Sequence, residues 1–166
     1  MNASTTDHER VAELLGRPPR GAFDVVVRST AGDPVVVRNE PLLDDGTPMP
    51  PRYYLVDPGL VRAVSRVESA GGVRAAESEL AADEIRATHD RYAVEREAAK
   101  PPHHEGPRPT GGVGGTRVGV KCLHAHVAHL LAGGDDPIGR WTLRHLASDP
   151  MLSSGVHPDW LAESHR

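Results

Sequence analysis

The stretch Gly119-Val-Lys-Cys-Leu-His-Ala-His-Val-Ala-His129 decides the fold, because it combines an apolar run with the only cysteine and three of the ten histidines. On an α-helix, at about 100° per residue, Cys122, His126 and His129 fall within an arc of about 60°. His124 points to the opposite side. Since leucine, valine and alanine occupy most of the remaining positions, the stretch predicts a buried Cys/His helix at the centre of the fold.

The segments next to this stretch also have helical signals. The central helix is predicted over residues 117–132, and Gly133-Gly134 ends it. Asp136-Pro137 then supplies an N-cap followed by a proline at the first helical position, which predicts another helix that ends at Ala147. Earlier in the chain, hydrophobic spacing and helix propensity predict helices over residues 7–15, 60–69 and 77–100.

Three runs rich in β-branched and aromatic residues predict a small antiparallel sheet. Residues 23–28 and 35–38 form a hairpin around Ala31-Gly-Asp-Pro34, and residues 52–56 form the third strand. The predicted fold class is therefore α+β, with a small antiparallel sheet of about three strands covered by four to five helices.

Composition divides the chain of 166 residues into three parts. Residues 1–6 are polar and predict a disordered N-terminus. Residues 7–148 predict a single α+β domain, in which the Pro/Gly-rich segment 101–115 is a flexible loop because it lacks hydrophobic periodicity. Residues 149–166 predict a C-terminal tail with one short helix near Pro158.

Charge and cysteine usage narrow the function classes. The net charge of −4 argues against nucleic acid as a partner, because nucleic-acid binders have a basic surface. No apolar run is long enough to predict a membrane span. The single cysteine cannot form an intramolecular disulfide, and no apolar signal-peptide region follows Met1, so the sequence predicts a cytoplasmic location.

The placement of Cys122, His126 and His129 on one stripe of the predicted central helix gives the first functional hypothesis, a metal site formed by these three residues. A thiolate with two imidazoles favours Zn²⁺, and Asp57, His124 of a second chain or water would supply the fourth ligand. The competing interpretation is structural: Cys122 is a small buried hydrophobic residue, and the histidines bond to backbone or carboxylate groups. The sequence leaves both open.

Two other chemistries are compatible with the same region. Residues 111–115, Gly-Gly-Val-Gly-Gly, precede a predicted helix N-terminus with Arg117 and Lys121, which predicts an anion or phosphate site; a glycine-rich linker explains the same residues. Alternatively, Cys122 is a nucleophile whose pKa is lowered by Lys121 and whose base is His126. Whether the protein is an enzyme stays undecided at this level.

An interaction or scaffolding module is the non-enzymatic alternative. Its partner would be a protein that docks on the long charged helix through Leu80, Ile85 and Tyr92. Helices of this composition are more often solvated surfaces, so the hypothesis depends on an exposed apolar patch. The sequence does not identify the partner.

Several stretches resemble the bacterial family called domain of unknown function 501. The resemblance covers most of residues 9–146, and the Lys-Cys-Leu-His run is its most specific part. It implies a bacterial origin but no activity, because the family has no established biochemical function. The matching stretches are Leu15-Gly-Arg-Pro-Pro-Arg-Gly21, Leu43-Asp-Asp-Gly-Thr-Pro-Met-Pro50, Tyr53-Tyr-Leu55, Ser65-Arg-Val-Glu68 and Val120-Lys-Cys-Leu-His-Ala-His-Val-Ala-His129.

The chain departs from the family pattern at two places. Members often have Arg-Cys-Pro where this chain has Arg28-Ser29-Thr30, and a cysteine or histidine where it has Asp57. Serine is a poor metal ligand and aspartate an acceptable hard one. The departure therefore weighs against a structural zinc site in this member.

Overall fold

The computed structural model describes residues 3–166. Met1 and Asn2 lie outside the described residues, and part of the predicted disordered segment 1–6 lies there with them. The elements in chain order are α1 (Thr5–Leu15), β1 (Phe23–Arg28), β2 (Pro34–Asn39), β3 (Tyr53–Leu55), α2 (Pro58–Ser69), α3 (Gly72–Glu79), α4 (Ala82–Ala98), a 3-10 turn at Val113–Gly115, α5 (Leu123–Leu131), α6 (Pro137–Ala147), α7 (Pro158–Ala162) and a final 3-10 turn at Glu163–His165.

The predicted α+β fold class is confirmed. The strands pair antiparallel in the order β1-β2-β3, with Val25 opposite Val37 and Val36 opposite Leu55. Strand β2 is the central strand and nearly all of its residues are buried, which explains its run of three valines. Within residues 3–166 the sheet is accompanied by seven α-helices, where the sequence predicts four to five.

Part of the difference in helix number comes from residues 77–100, which were predicted as one helix. The structure has two helices there, α3 and α4, because Leu80 and Ala81 are both extended. The side chain of Leu80 packs against the core, so the break turns an apolar residue inward. Helix α3 begins at Gly72, before the predicted segment. A larger residue would clash there, because a Cβ at this position would lie 2.6 Å from the carbonyl oxygen of Val67.

The predicted start of the central helix at Arg117 is wrong. Helix α5 begins at Leu123, and the residues before it form a loop in which Gly119 has a φ of +68°. Two carboxylates hold this loop, since Glu77 accepts the N–H of Val120 at 2.8 Å and Glu68 accepts the N–H of Leu123 at 2.7 Å. Both backbone groups are thus bonded to side chains of distant helices rather than to a preceding helical turn.

Helix α5 is nevertheless the buried centre that the sequence predicts. It packs against β3, α2 and α6, and its apolar residues Leu123, Val127 and Leu130 have no exposed surface. The contact with α6 is close, since a Cβ at Gly139 would lie 2.7 Å from the carbonyl oxygen of His126. The predicted cap of α6 is confirmed, because Asp136 accepts the N–H of Gly139 at 2.9 Å.

Residues 149–166 pack onto the rest of the fold. Arg66 of α2 donates to the carbonyl oxygen of Leu152 at 2.8 Å, and a Cβ at Gly59 would lie 2.1 Å from the carbonyl oxygen of Gly155. The helix α7 confirms the short helix predicted near Pro158. Among residues 3–166, no helix has the length and apolar character needed to span a membrane.

Candidate metal centre and cavity

The ligand-type side chains around α5 form two separate groups. Cys122 and His124 lie together with Glu68 of α2. His126 and His129 instead face the buried carboxylate of Asp136. The structure therefore divides the predicted metal ligands Cys122, His126 and His129 between two groups.

The first group consists of Glu68, Cys122 and His124, and we call it the Glu-Cys-His cluster. One potential ligand atom from each residue lies within 4.8 Å of the other two. The Nδ1 atom of His124 is 3.2 Å from Oε1 of Glu68 and 3.9 Å from Sγ of Cys122. All three residues are half-buried, so the cluster lies near the surface and not in the core.

The other ring nitrogen of His124 is fixed by helix α2. Its Nε2 atom lies 3.1 Å from the carbonyl oxygen of Val61 and 3.1 Å from Oγ of Ser65. Because the carbonyl oxygen can only accept, this contact assigns a proton to Nε2. In the neutral imidazole the lone pair is then on Nδ1, which faces Glu68 and Cys122.

The surroundings of His124 also favour its protonated form. Burial by itself lowers the pKa of His124, but hydrogen bonds to Cys122 and to the carbonyl of Val61, together with the charge of Glu68, raise it to about 9. Without a metal ion, the proton on Nδ1 therefore occupies the direction in which a ligand lone pair would point. A cation bound by the cluster would replace that proton.

Cys122 is the N-cap residue of α5 and has an extended backbone. The sequence predicts Cys122 inside the helix, on the stripe that holds His126 and His129. Because the backbone of Cys122 is extended instead, its thiol lies beside His124 and not on that stripe. Its thiol is free and half-buried. The N–H of Leu123 is bonded to Glu68, so one carboxylate contacts both His124 and the first turn of α5.

A cavity of about 580 Å³ opens beside the Glu-Cys-His cluster. Its walls are mostly aliphatic residues and prolines from the end of α1, from residues 50–58 and from the start of α2. The polar side of the wall includes Cys122, His124 and Arg62. Two members of the cluster thus line a space of the size that small-molecule sites have.

The second group consists of His126, His129 and Asp136, and it is almost completely buried. Nδ1 of His126 lies 2.8 Å from Oδ2 of Asp136, and Nδ1 of His129 lies 2.9 Å from the same oxygen. Both rings therefore donate Nδ1–H to one carboxylate. Burial by itself raises the pKa of Asp136, but the two imidazoles outweigh it and hold the pKa well below its usual range.

Rings surround this buried group. His129 stacks on Tyr53 with the ring centres 5.8 Å apart and meets the edge of Tyr92 at 5.3 Å. The Nε2 atom of His126 is buried without a hydrogen-bond partner among residues 3–166. His89, whose ring is 5.8 Å from that of His126, uses both nitrogens for backbone contacts with Gly119 and Val113.

The remaining predicted site residues lie elsewhere. Arg117 and Lys121, the predicted anion-binding residues, are exposed on the loop before α5. The helix N-terminus that they were expected to share begins six residues after Arg117, and Glu68 accepts its first N–H. Asp57, considered as a fourth metal ligand, caps α2 by accepting the N–H of Leu60 at 2.8 Å.

The docking face proposed for the charged helix is not available. Ile85 and Tyr92 are 4% and 3% exposed, and Leu80 packs against the same core. This corrects the expectation that these side chains are presented to a partner. They instead attach α4 to the domain.

The sequence reasoning missed Glu68 as a member of the site. Glu68 belongs to the stretch Ser65-Arg-Val-Glu68, which carries part of the family resemblance, and this was the available signal. Asp136 was recognised only as a helix cap, although its position directly after the His-containing helix made contact with the histidines feasible. Neither contact follows from helical spacing, because each joins two different elements.

Comparison with known proteins gives a family and no function. The family model described as "Protein of unknown function (DUF501)" matches residues 25–144. The matched region includes the whole sheet apart from the first two residues of β1, and it includes both ligand groups. Neither the curated proteins nor the solved structures contain a significant match to the chain.

Proposed function

The chain belongs to the DUF501 family of proteins of unknown function, so we propose a function from the geometry of the site. We propose that the protein binds zinc or a similar divalent metal ion through Glu68, Cys122 and His124. The observation that carries this proposal is the convergence of a thiol, an imidazole nitrogen and a carboxylate oxygen within 4.8 Å of one another beside a cavity. These are the three ligand types that proteins offer to zinc.

The two distances measured from His124 are close to those around one tetrahedral ion. For Zn–S of about 2.3 Å and Zn–N or Zn–O of about 2.0–2.2 Å, tetrahedral ligands lie about 3.6 Å apart for sulfur and nitrogen and about 3.4 Å apart for nitrogen and oxygen. The corresponding distances from Nδ1 of His124 are 3.9 Å to Cys122 and 3.2 Å to Glu68. Shifts of a few tenths of an ångström would bring these two distances to the tetrahedral values.

The groups behind these ligands support the same interpretation. A metal-bound histidine usually donates its other ring N–H to a carbonyl or carboxylate, which fixes the ring and its tautomer. Val61 provides that carbonyl for His124, and the N–H of Leu123 does the equivalent for the carboxylate of Glu68. The site is therefore organised before an ion arrives.

The cavity gives solvent or a bound molecule access to the fourth coordination position of the proposed metal ion. Three protein ligands and one exchangeable position are typical of catalytic zinc sites, whereas structural sites are closed by four protein ligands. Because Cys122 and His124 line the cavity, water or a bound molecule can reach the ion from there. The site also needs Cys122 in its reduced form, which agrees with the cytoplasmic location that the sequence predicts.

A cysteine nucleophile activated by His124 is less compatible with this geometry. In such an arrangement the base takes the thiol proton at one ring nitrogen, and a carboxylate orients the ring at the other. Here Nδ1 of His124 faces both Cys122 and Glu68, while Nε2 is bonded to Val61. The two partners of a relay are thus on the same nitrogen.

The test is the metal content of untagged protein purified without chelator. We expect about one zinc per chain in the wild type and loss of it in Cys122→Ser and in His124→Ala. The matched control is His145→Ala, which removes an exposed histidine that stacks on Trp141. Unchanged metal content in both cluster variants would contradict the proposal.

A further comparison separates this cluster from the ligand set that the sequence predicts. His129→Gln leaves the Glu-Cys-His cluster intact but removes one of the three residues on the predicted helical stripe. Retention of zinc in folded His129→Gln, with loss in His124→Ala, would support the cluster. The reverse pattern would restore the predicted site at Cys122, His126 and His129.

A further inference from the structure

We propose that the cavity beside the Glu-Cys-His cluster binds a small amphipathic molecule, with an apolar body along the aliphatic wall and an anionic head at Arg62. A medium-chain carboxylate is the simplest molecule of this class. The inference goes beyond metal binding and does not require it, because the wall and Arg62 are present with or without an ion.

The apolar wall sets the nature of the body. Leu14 and Leu15 come from α1, Leu55 and Val56 from the end of β3 and the residue after it, and Val61 from α2, so several separate elements line the space. The volume of about 580 Å³ lies inside the range of about 300–1,000 Å³ found for small-molecule sites. A space of this size with an aliphatic lining suits the compact apolar part of a small molecule.

Arg62 sets the charge of the head. It lines the cavity, is exposed, and makes no hydrogen bond or ion pair with any residue from 3 to 166. Arg66, one turn later on the same helix, donates to the carbonyl oxygens of Leu152 and Ser154. Of these two arginines, Arg62 therefore keeps its guanidinium free for a carboxylate, which it can bind through two parallel hydrogen bonds.

The lining combines polar and apolar groups, and together they select an amphipathic molecule. Arg62 belongs to α2, and His124 of α5 lies next to this helix. The Nε2 atom of His124 contacts the carbonyl oxygen of Val61, the residue before Arg62, and both Arg62 and His124 line the cavity. The leucines of α1 form a purely apolar part of the lining. A molecule with a charged group at one end and a hydrocarbon chain at the other satisfies both parts.

The probe is octanoate, with hexanoate and octanol for comparison, titrated calorimetrically into chelator-treated wild-type protein. We expect one octanoate per chain. Each added methylene should raise the affinity about fourfold, so hexanoate should bind about 15-fold more weakly. Octanol should bind about tenfold more weakly than octanoate, because it lacks the charge that Arg62 recognises.

Two variants test the assigned groups, each with a matched control. Arg62→Gln should lower the affinity for octanoate to that for octanol, whereas Arg74→Gln, at an exposed arginine of α3 that has no hydrogen-bond or ion-pair partner among residues 3–166, should not change it. Ala125→Trp fills the cavity and should abolish binding, whereas Ala147→Trp places the same ring on exposed α6 surface. Circular dichroism establishes that each variant is folded.

The outcomes separate this inference from the proposed metal site. Absence of octanoate binding to the wild type, equal binding of octanol, or unchanged binding by folded Arg62→Gln would overturn it. The wild-type chain-length series keeps the test valid if Ala125→Trp does not fold. Octanoate binding by a protein that takes up no zinc would support the inference and refute the metal proposal alone.

Discussion

Replacement of Asp136 by alanine is expected to destabilise the protein strongly. The carboxylate is fully buried and accepts hydrogen bonds from three donors: Nδ1–H of His126 at 2.8 Å, Nδ1–H of His129 at 2.9 Å and the N–H of Gly139 at 2.9 Å. Asp136→Ala removes the acceptor for all three. The rings of His126 and His129 on α5 both point at this carboxylate, so each loses the acceptor of its Nδ1–H group.

The size of the effect follows from these contacts. Loss of the helix cap costs about 1 kcal/mol. Each buried ring N–H that loses its acceptor costs about 1–3 kcal/mol, so the two histidines together contribute about 2–6 kcal/mol. We therefore expect the free energy of unfolding to fall by about 3–7 kcal/mol, which is a large part of the roughly 5–15 kcal/mol typical of a folded protein.

Asp135 provides a matched control, because it is the same residue type at the preceding position. Its carboxylate is 62% exposed and pairs with Arg140 at 2.7 Å and with Arg91 at 3.4 Å. Surface ion pairs contribute about 1 kcal/mol or less, so Asp135→Ala should lower the free energy of unfolding only slightly. Urea unfolding of both variants, followed by circular dichroism and by the fluorescence of Trp141 and Trp160, measures the difference.

The result also decides what His126 and His129 do. A loss of less than about 1 kcal/mol in Asp136→Ala, or equal losses in the two variants, would show that the buried group contributes little to the fold. The structural role assigned to the two histidines would then be refuted. Their hydrogen bonds to Asp136 would in that case need another explanation, such as the orientation of ligands for a metal.

Three further predictions follow from the same structure. In metal-free protein, His124 should contribute stability that is fully present below about pH 6.5 and is lost as the pH rises through about 9, because folding raises the pKa of His124. In urea unfolding at stepped pH, the free energy of unfolding of the wild type should therefore fall relative to that of His124→Gln by at most about 3 kcal/mol across this window, and parallel profiles of the two proteins would contradict the prediction. Zinc binding at pH 7 should release at least one proton, from His124, as measured by calorimetry in buffers of different ionisation enthalpy; release of none would exclude His124 as a ligand. Gly59→Ala should lower the free energy of unfolding by about 1–3 kcal/mol in urea unfolding, since its Cβ would meet the carbonyl oxygen of Gly155 at 2.1 Å, and an unchanged value would show that residues 149–166 do not pack there.

Local signals in the sequence were sufficient for much of the fold. The valine-rich runs locate β1 and β2, and the Asp136-Pro137 pair locates the start of α6, as the structure confirms. The burial of His126 and His129 also follows from the apolar character of their helix. These features depend on side-chain periodicity and helix capping, which involve residues only a few positions apart.

The composition of the candidate site depended on contacts between distant residues. Helical spacing groups Cys122 with His126 and His129, but the helix does not reach Cys122 because carboxylates 55 and 43 residues away in sequence bond to Leu123 and Val120. Those bonds hold Cys122 in an extended backbone, so its thiol joins His124 and not the buried histidines.

The sequence by itself determined the α+β fold class, the strands and the presence of a buried His-containing helix. Only the tertiary structure decided which of these side chains act together, because Glu68 and Asp136 reach the helix from neighbouring elements. Periodicity specifies which face of a helix is apolar, and it carries no information about the polar group that another element brings to that face. The division into a surface Glu-Cys-His cluster and a buried His-Asp-His group is therefore a property of the packing.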